Sequence, residues 1–435
     1  MFWLERKRFR AFVKNALWVF PVLSMIAALL FAPLSRYLEA SGRLRFLGFG
    51  LQGARAAIGL MAASILTFVV FFFSVLLLTV QIASGNLSPR IIARPFQSKA
   101  LKASLGLFVF TFIYGVAVLG RLEDEVLQLP VFLTLLLSIA SIGVFLFIVE
   151  HIGKELRPAT VVTRVAQEGL NVIRSVYPLS WPPSSVTHVA VDLPEDSSYE
   201  TIEHAGNAGV VVAFNPRQLA TIATANECTI ELVPQVGDFV AAGAPLFRIY
   251  PAKSIPAGQL RRSILLGRER TLEQDPAFAF RIIVDIAEKA LSPAINDPTT
   301  GVLAIDQIQI LLSEVGKRDL STGVVRDDTG QVRLVYRTPN WEDFVLLAVA
   351  EVRQYGAGSV QIMRRLRGML EELIQGLPCS RAPLLQEQLD LLHNTVEQGF
   401  RDPRDRAQAE IADSQGLGGT PGQGLRMDLA HSSKP

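Results

Sequence analysis

The chain has 435 residues, half of them hydrophobic, with 42 Lys plus Arg against 40 Asp plus Glu, a formal charge of +2. The basic residues are interleaved with acidic ones and form no patch to grip nucleic acid. Its two cysteines, Cys228 and Cys379, and five histidines stand apart, so no disulfide framework and no metal site are expected.

Apolar residues crowd into the first 150 positions, where four runs lack Asp, Glu, Lys, Arg and His: 16–34, 56–82, 103–119 and 129–149. Each approaches or exceeds the roughly 20 helical residues that cross a bilayer core. The first run follows R-K-R-F-R but is too long for a signal h-region and is read as a retained anchor. Residues 1–156 are thus expected to form a four-helix transmembrane domain in contact with lipid.

Flanking charge sets the orientation. The N-terminus carries five basic residues (Arg6, Lys7, Arg8, Arg10, Lys14), the second loop four (Arg90, Arg94, Lys99, Lys102), and Lys154 and Arg157 follow the fourth run. The first loop has four arginines, and the third only Arg121 beside Glu123, Asp124 and Glu125. A multi-pass protein of a bacterial inner membrane with both termini cytoplasmic is expected. The spans carry no mid-depth charge of the kind ion-coupled pumps use. Their Ser64, Thr67, Ser74, Thr79, Thr134, Ser138 and Ser141 suit packing between helices, with pore lining as the alternative. Phe71, Phe72 and Phe73 point to different sides of their helix and suit packing. A polar set at the membrane face, Gln81, Ser88, Arg90, Glu150 and His151, is where an enzyme acting on lipid or envelope substrates would place its groups. Interfacial snorkelling and helix-end charge account for Glu150 and His151 more simply.

From residue 157 the chain reads as a cytosolic α+β region: a helix and Pro-rich linker over 157–200, a β module over 201–255, a mainly helical domain over 256–400, and a disordered tail over 401–435. Short alternating runs at 209–214, 227–233, 236–240 and 245–250 predict strands. Within them V-P-Q-V-G-D-F-V-A-A-G-A-P-L-F-R-I (233–249) resembles the barrel-sandwich hybrid of lipoyl and biotinyl carriers, whose hairpin corners favour glycine. No lysine lies between Lys154 and Lys253, so the module cannot carry biotin or lipoate, and no cofactor is expected.

The helical domain opens with a helix over 275–291, whose Arg281, Asp285 and Lys289 stand four residues apart as a solvated stripe. In A-L-S-P-A-I-N-D-P-T-T-G (290–301) two prolines bracket Asn296 and Asp297 before a helix over 299–315. Asp297 fits an N-cap with Pro298 at the first helical position. The cap explains the stretch most simply; the alternative makes Ser292, Asn296, Asp297 and Thr299 the candidate site for a small polar or anionic ligand at a helix N-terminus. A hairpin over 323–337 and three further helices close the domain.

With V-Q-I-A-S-G-N-L-S-P-R (80–90), F-I-V-E-H-I (147–152), the 236–246 turn and the 290–300 stretch, the chain resembles a bacterial family of predicted membrane proteins, domain of unknown function twenty-two fifty-four. Gly301 departs from the alanine usual there. The resemblance implies this architecture up to about residue 400 and transfers no substrate or catalytic residue. Three readings follow: a non-enzymatic homo-oligomer with a channel-like core and a cytosolic regulatory module; a membrane-tethered ligand sensor or scaffold; and a lipid- or envelope-directed enzyme.

Overall fold

The uncharged runs fold into helices, each of which outlasts its run at one end or both. A computed structural model describes residues 16–40, 50–86, 98–122, 128–155, 157–181, 198–320 and 323–418. The basic N-terminal stretch, Ser88, Arg90, most of the Pro-rich linker and residues 419–435 lie outside that set.

Residues 2–160 form one compact unit. Its helices α1 (Val19–Ala40), α2 (Leu51–Asn86), α3 (Lys99–Leu119) and α4 (Gln128–Glu155) are each long and apolar enough to cross a membrane. Two charges beyond the uncharged runs find partners inside the unit. Glu39, buried at the end of α1, accepts hydrogen bonds from the Gln128 and Leu129 amides at 2.6 and 3.2 Å and so caps α4. Arg55 donates to the Leu122 carbonyl at 2.5 Å.

Helix α3 is the most enclosed, 56% of its span being buried against 17–28% in the others. Hydroxyls tie the bundle inside: Thr111 meets Ser141 at 3.2 Å, and Tyr114 donates to Ser35 at 2.9 Å. Thr134 and Ser138 bond the carbonyls four residues back. Of the three successive phenylalanines, Phe72 is buried against Phe108, whereas Phe71 and Phe73 are exposed.

The second unit runs from residue 161 onward. Its entry helix α5 (Pro158–Val176) buries Val162, Val165, Ala166, Gly169 and Ile173, one apolar stripe at helical spacing. Strands β1 (Glu200–Glu203), β2 (Gly209–Phe214), β3 (Thr229–Leu232), β4 (Phe239–Val240) and β5 (Pro245–Tyr250) follow, with α6 (Pro216–Ala225) between β2 and β3. Gly237 and Gly243 turn the chain at φ 95 and 80, angles that favour glycine.

The strands before residue 255 do not close a sheet alone. After α7 (Ala257–Arg261), β6 (Ile264–Gly267) pairs with β2 in a three-stranded sheet of order β4-β2-β6. The later hairpin of β7 (Val324–Arg326) and β8 (Val332–Tyr336) completes a five-stranded sheet of order β1-β5-β3-β8-β7, in which β3 and β8 run parallel. Ile230, Leu232, Phe247 and Leu334 are buried in the core that these sheets share with α6.

The helical layer comprises α5, α8 (Pro276–Leu291), α9 (Pro298–Gly316), α10 (Trp341–Gly356), α11 (Val360–Gly376) and α12 (Ala382–Gly399). The tail expected from residue 401 departs from its low-complexity reading. Residues 401–418 include a short helix, α13 (Pro403–Ala409), and fold back on α11. Arg364, buried on α11, donates to the Ile411 and Gly418 carbonyls at 3.0 and 2.7 Å. The Asp413 carboxylate accepts from the Gln415, Gly416 and Gly418 amides. These bonds order a segment that has little apolar periodicity of its own.

Candidate functional site

Where β2 and β8 meet the starts of α8 and α10, the second unit encloses a cleft of about 130 Å³. That is room for a few water-sized groups. Gln274 forms one wall: its side-chain amide accepts from the Phe214 N–H at 2.9 Å and donates to the Phe214 carbonyl at 3.1 Å, extending the ladder at the end of β2. Asp275 follows as N-cap of α8, accepting from the Phe278 amide at 3.0 Å, with Pro276 at the first helical position.

Asp275 is 2% exposed and paired with Arg270, whose guanidinium lies across Gly237. A Cβ at Gly237 would stand 2.5 Å from that guanidinium and push it aside, and the φ of 95 itself favours glycine. Burial pushes the Asp275 carboxyl above the usual range against the pull of Arg270. Opposite, the buried Tyr177 hydroxyl donates to the Pro339 carbonyl at 3.1 Å and fixes the link from β8 to α10. Polar side chains lining the cleft keep capacity for a ligand: Ser175, Gln235 and, on the rim, the exposed Arg337, which no carboxylate pairs with among the described residues.

The corner expected to bind a ligand lies at the other end of α8, whose 16 residues span about 24 Å. Asp297 caps α9, accepting from the Thr300 amide at 3.1 Å and the Thr300 hydroxyl at 2.6 Å. Ser292 donates its hydroxyl to the Lys289 carbonyl at 2.7 Å. Asn296 takes φ 51, a left-handed angle that asparagine tolerates better than most residues, and it and Thr299 are exposed. The Ser292 carbonyl accepts the Asn296 amide at 2.9 Å, so the four residues share one corner, and its carboxylate is spent on the cap. Gly301 has a packing reason: a Cβ there would meet Ile362 and Leu291 at 2.9 Å.

In the membrane unit Glu150 pairs with Lys154 at 2.5 Å, and His151 stacks on Phe147 and stands 3.6 Å from Glu155. These partners lie one turn away on the same helix. Gln81 is exposed on α2. Among the described residues no group of three or more His, Cys, Asp or Glu gathers as a metal site would require.

The stripe beginning at Arg281 is more than a solvated face. Arg281 bonds Asp285 and Glu288 at 2.6 Å and also Glu351 on α10. Burial and a hydrogen bond from Glu351 push Glu288 up to about 7, although Arg281 pulls it down. Sequence spacing displayed the pair with Asp285, but Glu351 is brought in only by packing of α10 on α8. The cleft was missed for the same reason, although E-Q-D-P (273–276) carries the same Asp-Pro cap signature as N-D-P (296–298).

The family profile described as predicted membrane protein (DUF2254) matches residues 14–372. Uncharacterized proteins of Mycobacterium bovis and Mycobacterium tuberculosis are 28% identical to the chain over 422 residues, 93% of this chain and 80% of theirs. No solved structure matches it.

Proposed function

This chain belongs to the DUF2254 family of predicted membrane proteins, and on that premise we propose that it is a membrane-anchored, non-enzymatic sensor whose second unit binds a small anion. The observation that carries this reading is the exposed Arg337, paired with no carboxylate among the described residues, on the rim of a cleft that Gln235 and Ser175 also line. A guanidinium beside an amide and a hydroxyl donor suits phosphate or carboxylate. The cleft's volume limits the ligand to a few heavy atoms. By the distribution of Lys and Arg the four spans cross a bacterial inner membrane with both termini and the second unit in the cytoplasm.

The test is thermal unfolding of the full chain in lipid nanodiscs with inorganic phosphate, acetate and oxalate. The reading expects at least one anion to raise the wild-type midpoint, Arg337→Ala to lose that rise, and Asn296→Ala to keep it. Loss in Asn296→Ala with retention in Arg337→Ala would move the site to the α9 corner. No rise with any of the three would end it.

A second reading, a homo-oligomer with a channel-like core, draws support from α2. Ser64, Thr67 and Ser74 are exposed along one side of it, each bonding the carbonyl four residues back. Neighbouring copies would cover these hydroxyls. Conductance across planar bilayers separates this reading from the first.

A further inference from the structure

A second concavity, about 510 Å³, runs between α5, α9 and α11. Its size is that of a site for a small organic molecule rather than an ion. Two ion pairs stand along it, and they are opposite in which partner is accessible. Arg365 is 5% exposed and bonds Asp306 at 2.8 Å, which is 38% exposed. Arg174 is 52% exposed and bonds Glu314 at 3.1 Å, which is 18% exposed. Solvent therefore meets a carboxylate at one end and a guanidinium at the other. Between them lie the apolar side chains of Leu170 and the exposed Ile310.

Asp306 and Glu314 are two turns and a fraction apart on α9, about 12 Å along the axis. A ligand matching both ends carries a cation and an anion at that separation, with an apolar group between. An extended peptide rises about 3.3–3.6 Å per residue, so free termini at that spacing belong to a chain of about three or four residues. Arg365 adds a further feature: its Nη1 is buried with no hydrogen-bond acceptor, leaving a donor unmet on this wall.

We propose that this groove binds a short peptide with free termini, its ammonium at Asp306, its carboxylate at Arg174 and an aliphatic middle residue on Leu170 and Ile310. The proposal is independent of the anion cleft, and Arg337→Ala leaves peptide binding unchanged.

The test is calorimetric titration of the full chain in nanodiscs with Ala-Leu-Ala, its N-acetyl form, its C-amide form and the doubly blocked peptide. Losing one charge-assisted contact is expected to weaken binding by about tenfold, so each single block does so and the double block abolishes binding. In Arg174→Gln the penalty for amidation disappears while that for acetylation persists. Asp306→Asn shows the converse, and should it fail to fold, the wild-type comparison of blocked peptides and Arg174→Gln still decide. Equal affinity for free and blocked peptides, or no heat from Ala-Leu-Ala at about 10 mM, would overturn the assignment.

Discussion

Arg281 and Glu351 join α8 to α10 through an ion pair, yet Glu351 also shares a hydrogen bond with Glu288, and with Asp285 three carboxyls converge on one guanidinium. Glu288 titrates near 7 in the folded chain against an ordinary value of 4.5. The folded state therefore holds this proton more tightly than the unfolded one. The stabilisation is complete below about 4.5 and is lost as pH rises through about 7. Glu288→Gln, which cannot titrate, should lose less thermal stability than wild type between pH 5 and pH 8. Parallel unfolding midpoints for the two proteins across that range would refute the shared proton.

Gly169 of α5 is packed so closely that a Cβ would lie 2.7 Å from the Ala279 methyl and 3.2 Å from Leu311. Gly169→Val should destabilise the second unit by about 1–3 kcal/mol despite valine's better helix propensity, because α5 must shift off α8 and α9. Denaturant unfolding of the full chain in detergent measures it.

At the start of α9, Asp297→Ala should cost about 1 kcal/mol through loss of the cap. Asn296→Gly should be close to neutral, since the left-handed φ is one glycine adopts freely. Both are read from thermal midpoints without ligand, which separates the cap from any binding role.

These positions mark how much was legible beforehand. The spans were, because the bilayer imposes a length and a composition on each one separately. So was the Asp297 cap, whose donor and acceptors lie within three residues. The cleft and the groove were not, since Phe214 with Gln274 and Arg174 with Glu314 are 60 and 140 positions apart. Nor was the fold of residues 401–418, a segment of little apolar periodicity held by Arg364, a charged residue whose burial nothing in its own helix announces.

Arg364→Met should release that segment. The Ile411 and Gly418 carbonyls would lose their donor, at a cost of about 1–3 kcal/mol. Limited proteolysis should then cut within 411–418 faster than in wild type, while Arg174→Gln leaves the rate unchanged.

The charge flanks make one prediction about the whole chain. A fluorescent protein fused after residue 435 should fluoresce in the bacterial cell, and alkaline phosphatase at the same place should stay inactive. Active phosphatase would invert the topology.

The Thr229 hydroxyl bonds the Val332 carbonyl 103 positions later, beside the parallel pairing of β3 with β8. During synthesis β3 therefore waits for its neighbour while the ribosome adds α8, α9 and the hairpin, on the order of ten seconds at bacterial rates. Throughout that interval the β3 edge is an open template for pairing with other chains. Expression fragments ending near residue 255 keep that edge open permanently, and aggregation is the expected fate of a β module cut away from the helices that follow it.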